Sequence, residues 1–203
     1  MPTHEPNIIT IEEDNSLRSV SVSDELTNSR VLVLDGQVEK DAVMTLIKTM
    51  LVLEHEDPEA EITLIISSPG GDVYSGMALV DAMQSLSCPI TTIAMGLVAS
   101  MASVILANGD RRLAYPHAYI LIHQLSSVNG MSQQTDLEIA ANHAAELRGV
   151  LDELLARKTS KAPDDFHAMT ERDCWCSAER ALELGIIDEI ISPDSAKAEG
   201  VGA

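Results

Sequence analysis

The chain has 203 residues, 45% of them hydrophobic but only 2% aromatic, so one domain with a core of Leu, Ile, Val, Ala and Met is expected. Its formal net charge of −19 excludes nucleic acid as the main partner, because phosphate binding needs clustered Lys and Arg. The acidic residues are spread along the chain and read as a solvated surface.

Residues 1–29 are polar, contain Pro2 and Pro6, and show no sustained periodicity. They read as a weakly ordered N-terminal segment, with Ile8–Ile11 as its one candidate strand. Met1 to Asn15 lacks the apolar stretch of a signal peptide. The three cysteines, Cys88, Cys174 and Cys176, are few and odd in number, which fits a reducing compartment. A cytoplasmic protein is therefore expected. Cys174 and Cys176 lack further ligands at metal spacing and read as packed free thiols, so no metal site is expected.

One domain is expected over residues 30–191. Val31–Leu34 reads as a buried strand ended by Asp35-Gly36. Between Asp41 and His55 the apolar residues recur at helical spacing, and Asp57-Pro58 stops them. Ile62–Ile66 is a second strand, followed at once by Ser68-Pro69-Gly70-Gly71 and a helix from about Val73 to Leu86. The stretch from Cys88 to Gly109 carries no charge and is long enough to span a bilayer. Its Pro, two Gly and many Ser and Thr divide it instead into a strand, Ile90–Met95, and a helix, Ser100–Asn108. Ala118–Ile122 is a further strand. Strands alternating with helices indicate an α/β fold with a largely parallel sheet.

From Ser132 to Lys158 the residues Leu137, Ala140, Ala144, Leu147, Leu151 and Leu154 form a heptad-like seam. They predict a helix of about 25 residues, roughly 40 Å long. Thr135 and Glu138 have the spacing of a capping box at its start. Such a helix either crosses the whole domain or pairs with another chain. Pro163 opens a short helix, Ser177 caps another that Gly185 ends, and Ile186–Ile191 closes the sheet. The tail, 192–203, is small and polar and reads as flexible.

Ser100 falls where a buried strand turns into a helix. Free N–H groups and the positive end of the helix dipole favour negative charge there, so Ser100 suits a nucleophile as well as it suits a plain N-cap. His123 ends an apolar strand, where it is either a satisfied core histidine or a base near the serine. Gly70-Gly71 is either a turn that needs positive φ or a backbone that approaches substrate. Several acids lie near residue 170, and pattern alone does not choose among Asp165, Glu171 and Asp173.

Four motifs occur in order: Ser68-Pro69-Gly70-Gly71, Ala99-Ser100-Met101, Ile122-His123-Gln124 and Glu171-Arg172-Asp173. In order and spacing they resemble the Clp protease proteolytic subunit family, serine peptidases of the Clp/crotonase superfamily, over about Arg30 to Ile191. The resemblance implies an α/β spiral of repeated β-β-α units, with residues 132–158 as a projecting handle helix that joins two heptameric rings. It also implies a serine endopeptidase acting on peptides and unfolded proteins, with Ser100 as nucleophile, His123 as base and Asp173 as the orienting acid. The N–H groups of Gly71 and Met101 become the oxyanion donors, and Gly70 and Val73 bind substrate. No cofactor is implied, ATP being used only by a partner ATPase.

Two departures from the family pattern stand out. Ser67 replaces the usual Asn before Ser-Pro-Gly-Gly, which leaves the turn intact. The family's ATPase-docking pocket is rich in aromatics, whereas the matching positions here are Thr63, Ile65 and Ser85, so altered docking is expected. The rivals are a crotonase-type acyl-CoA enzyme and a non-catalytic ring subunit. Only 13 Lys and Arg are present for a nucleotide-phosphate grip, and a complete Ser, His and Asp set argues against the second.

Overall fold

The computed structural model describes residues 6–11, 16–126 and 133–192. In chain order these form β1 (Asn7–Ile11), β2 (Leu17–Ser21), α1 (Val22–Asn28), β3 (Val31–Val38), α2 (Lys40–Glu56), β4 (Ile62–Gly71), α3 (Val73–Ser85) and β5 (Ile90–Ala99). There follow α4 (Met101–Ala107), β6 (Arg111–Ala114), β7 (Tyr119–Ile122), α5 (Gln134–Ala156), α6 (Pro163–Met169), β8 (Cys174–Ser177), α7 (Ala178–Leu184) and β9 (Glu189–Ile190).

The architecture is mixed α/β with a sheet dominated by parallel pairs, as the alternation of strands and helices implies. The seven-stranded sheet runs β3-β4-β5-β6-β9, and β7 joins it beside β5 and carries β8. Every pairing in it is parallel except β7 with β8. Helices α2, α3 and α4 make the crossovers that parallel neighbours require. The core is aliphatic: Phe166, the single Phe of the chain, is fully buried, while Trp175, the single Trp, is 56% exposed.

The decisive feature is β5. Its first half, Thr91–Ala94, pairs with β6, and its second half, Leu97–Ala99, pairs with β7. Gly96, at φ 66°, sits between the two halves. The strand therefore runs past Met95, where the sequence pattern ends it, because it finds a second partner. β4 likewise continues through Gly71 by pairing with Gln37 and Val38 of β3 after a register shift. Strand extent here is set by partners distant in the chain, which local apolar pattern does not carry.

Two expectations need correction. Residues 17–28, read above as weakly ordered, form β2 and α1. β2 pairs with β1 over its whole length, and Ser21 caps α1 by accepting from the Asp24 N–H at 3.0 Å. Polar composition concealed a hairpin whose stability comes from strand pairing. In α5, the N-cap is Gln133 without a side-chain bond, so the Thr135 and Glu138 capping box does not form. Ser132 and residues 193–203 lie outside the described residues. The other punctuation is as predicted: Ser177 accepts from the Arg180 N–H, Gly185 ends α7 at φ 74°, and Pro163 opens α6.

Candidate active site

Ser100 lies between β5 and α4 with φ 57° and ψ −127°, a conformation that L-residues avoid. Surrounding bonds hold it there. Its N–H donates to the Leu121 carbonyl at 2.8 Å, which fastens the turn to β7. Its carbonyl accepts from the Ser103 hydroxyl at 2.6 Å, and that hydroxyl also lies 2.8 Å from the Leu121 carbonyl. The side chain is thereby aimed outward from a sharp strand-to-helix turn, the arrangement that suits a nucleophile in α/β hydrolysis.

The same β5–β7 pairing delivers His123. Ala99 lies beside Leu121, so His123, the residue after β7, comes next to the Ser100 turn. Ser100 and His123 line one cavity of about 30 Å3, room for a water or two, together with Val73 and Met101. Asp173 arrives from the other side. β7 and β8 are antiparallel and their pairing ends at Ile122 opposite Cys174, so His123 leaves β7 where Asp173 leads into β8. His123 and Asp173 line a second, open cleft of about 450 Å3. His123 thus borders both Ser100 and Asp173. Among the described residues no hydrogen bond joins these three side chains; such contacts commonly tighten only with substrate in place.

The competing acids are engaged elsewhere. Asp165 accepts from the Ala162 N–H at 2.9 Å as part of the α6 start. Glu171 pairs with Arg148 at 3.2 Å. Glu171 and Asp173 both line the cleft beside His123, and Asp173 is the one adjacent to the last β7–β8 pair.

The Ser68-Pro69-Gly70-Gly71 turn packs directly on the serine. A Cβ on Gly70, whose φ is 88°, would stand 2.6 Å from the Ser100 Cβ and 2.6 Å from the Ala99 carbonyl oxygen. Only glycine fits, and the Met101 N–H lies alongside, in the first turn of α4 where the helix supplies no acceptor. Gly71 is pressed against β3, a Cβ there falling 2.5 Å from the Val38 carbonyl oxygen. Val73 links the Ser100 cavity to a cleft of about 380 Å3 bordered by Gly71, Leu125, His143 and Leu147. Asp72, on that border, is held below the usual carboxylate range by the Ser75 hydroxyl and N–H.

Comparison with known proteins decides the family. The Clp protease family profile matches residues 13–194. The chain belongs to the Clp protease family. It is similar to the ATP-dependent Clp protease proteolytic subunits of Streptococcus pneumoniae strains Hungary19A-6, CGSP14 and JJA. Each is 38% identical over 181 residues, covering 88% of this chain and 92% of the relative.

In this Clp protease chain the structure adds residues that sequence reading missed. Arg148, on α5, lines the Ser100 cavity. Its guanidinium donates to the Gln124 side chain at 3.3 Å, to the His167 carbonyl at 2.9 Å and to Glu171 at 3.2 Å. Gln124 in turn donates to the backbone of Thr170 and of Glu171. One arginine therefore joins the segment after His123 to the segment before Asp173. Its Nε is buried without a partner, and Asp152, buried nearby, pairs with His167 at 2.7 Å. The available signal was an Arg on the apolar side of a long helix, three residues before the seam residue Leu151. His55, His143 and His167 lie on helices and His117 in the turn between β6 and β7, while His4 lies outside the described residues; His143 bonds the Tyr74 hydroxyl at 2.5 Å.

Proposed function

We propose that this chain is the proteolytic subunit of a Clp-type protease, a serine endopeptidase. The observation that carries this reading is the strained Ser100 turn, packed on Gly70 and sharing a cavity with His123. In the reaction, His123 takes the Ser100 hydroxyl proton as the serine oxygen attacks the peptide carbonyl. Asp173 holds the imidazole in the required tautomer and stabilises its charged form. The Gly71 and Met101 N–H groups receive the negative oxygen of the tetrahedral intermediate. His123 then passes the proton to the leaving amine, and water resolves the acyl-enzyme by the same route. Gly70 and Val73 border the peptide on either side of the reacting carbon.

The expected assembly is two stacked heptameric rings with the serines inside. The first half of α5 supports this, because Leu137 is 43% and Ile139 62% exposed in the single chain. Peptides and unfolded proteins are the substrates, no cofactor takes part, and ATP is spent only by a partner ATPase. Thr63, Ile65 and Ser85 offer little of the aromatic area that anchors such a partner, so docking is weaker or differently built. Among the described residues no helix is long and apolar enough to cross a membrane, and a cytoplasmic location is proposed.

The test is fluorophosphonate labelling with peptide mapping, run beside peptide hydrolysis. The label is expected on Ser100 alone, and Ser100→Ala should lose both label and activity. Asp173→Asn should lower kcat by up to about ten-thousandfold, while Asp165→Asn should not. Normal hydrolysis by Ser100→Ala would overturn the reading.

A further inference from the structure

The geometry points to a thiol-oxidation site at Cys174 and Cys176, where a small disulfide oxidant closes an intrastrand disulfide that displaces Asp173 and silences the peptidase. The silencing rests on the function proposed above; the bond itself does not.

The two cysteines are two apart on β8, so both face the same side of the strand, and their sulfurs stand 3.9 Å apart. Their cross-strand partners are Ile122 and Ile120, both buried. Cys176 is fully buried, whereas Cys174 is only partly so, and Trp175 between them is exposed on the opposite face. Burial first, then neighbouring Cys174, push the Cys176 thiol up to about 12. These differences assign the order of events. The Cys174 thiolate attacks the oxidant RSSR, forms a mixed disulfide and expels RS⁻. Cys176 then gives up its proton as its sulfur attacks the Cys174 sulfur and expels the second RS⁻, which takes up that proton or one from water. Two thiols are oxidised by two electrons in all, and one RSSR becomes two RSH.

Closure must deform the strand. Positions two apart in a strand are roughly 6.6 Å apart between Cα atoms. A disulfide prefers about 5.5–6 Å. β8 pairs only with β7, so it is an edge strand free to bow, and Asp173 is the residue immediately before Cys174. Bowing moves Asp173 away from His123, with which it shares a cleft. A strained disulfide of this kind is readily reduced, which makes the effect reversible. Cys88 is excluded as a participant, because it is buried elsewhere and donates to the Asp57 carbonyl.

The assembled protein is incubated with oxidised glutathione, and intact mass, mapped disulfides and peptide hydrolysis are followed together. The wild type is expected to lose two hydrogen atoms in a Cys174–Cys176 bond and to lose activity at least about tenfold, both reversed by dithiothreitol. Cys176→Ala should stop at one glutathione adduct on Cys174. Cys174→Ser should keep its basal activity and resist the oxidant. Absence of the mapped bond overturns the site, even in a preparation that hydrolyses nothing. A mapped bond in a chain that keeps full activity overturns the link to Asp173. Inactivity before oxidation, with the bond still forming, overturns the peptidase reading and with it the silencing, but not the thiol site.

Discussion

Ser100 carries a conformation that glycine would adopt freely. Strain of this kind costs on the order of 1–3 kcal/mol. Glycine gives back roughly 0.4–1 kcal/mol through its greater freedom in the unfolded chain. Ser100→Gly is therefore expected to stabilise the protein by about 1 kcal/mol, raising Tm by roughly 2–4 °C, while abolishing hydrolysis. Ser100→Ala should abolish hydrolysis without that gain. Thermal unfolding of the two variants side by side checks this; equal Tm values would mean that the turn is unstrained. At this scale much was legible. A serine between a β-branched run and a small-residue helix is visible in the letters, as is a glycine pair after a strand. What the letters do not carry is the nearness of Asp173 to His123, because it comes from the antiparallel pairing of β7 with β8, a contact between distant segments.

Helix α5 reaches the site through Arg148, whose guanidinium touches both the segment after His123 and the segment before Asp173. Arg148→Met should lower kcat by about ten- to a hundredfold with a smaller change in KM, because misplacement of the relay affects chemistry more than binding. Arg148→Lys should recover little, since a point charge cannot engage three acceptors as the planar fork does. A KM effect alone would show that Arg148 only shapes the cleft. Two further elements that the sequence pattern missed, β6 and β8, share one cause. β6 contains Arg111 and Arg112, and charge disguises a strand whose Arg112 is 6% exposed and bound to Asp188. β8 is four residues long, without alternation, squeezed between an acidic turn and an N-cap. Both exist because a distant strand receives them. The long helices and the strands covered on both faces were legible because their own spacing declares them.

The whole molecule is tied at its C-terminal end by Arg112, which donates to Asp188 and to the Gly185 carbonyl. Burial raises the Asp188 carboxyl, but the Arg112 guanidinium and N–H outweigh it and hold it below the usual range. A depressed carboxylate contributes stability that is present above the unfolded value near pH 3.9 and is lost as pH falls through the folded one. Asp188→Asn should cost about 0.5–1.5 kcal/mol near neutral pH, solvent screening of the half-exposed carboxylate keeping the loss small, and flatten the stability profile below about pH 4, as urea titrations would reveal. An unchanged acid slope would place that dependence elsewhere. For the proposed assembly, Leu137→Asp with Ile139→Asp should break the rings into smaller species in light scattering, because both are exposed in the single chain and unpaired charge in an intersubunit seam is costly. Rings that persist would mean that this seam faces its own domain.

The late position of β8 has a consequence during synthesis. Chains emerge from the ribosome N-terminus first and domains fold as units. Ser100 and His123 are exposed to the cell well before Asp173 is made, and β7 waits for β8 to cover its free edge. A chain broken off by a stalled ribosome anywhere before that point lacks the residue proposed above to orient His123. On the roles proposed above, chain order alone withholds the orienting acid until the peptidase domain is nearly complete.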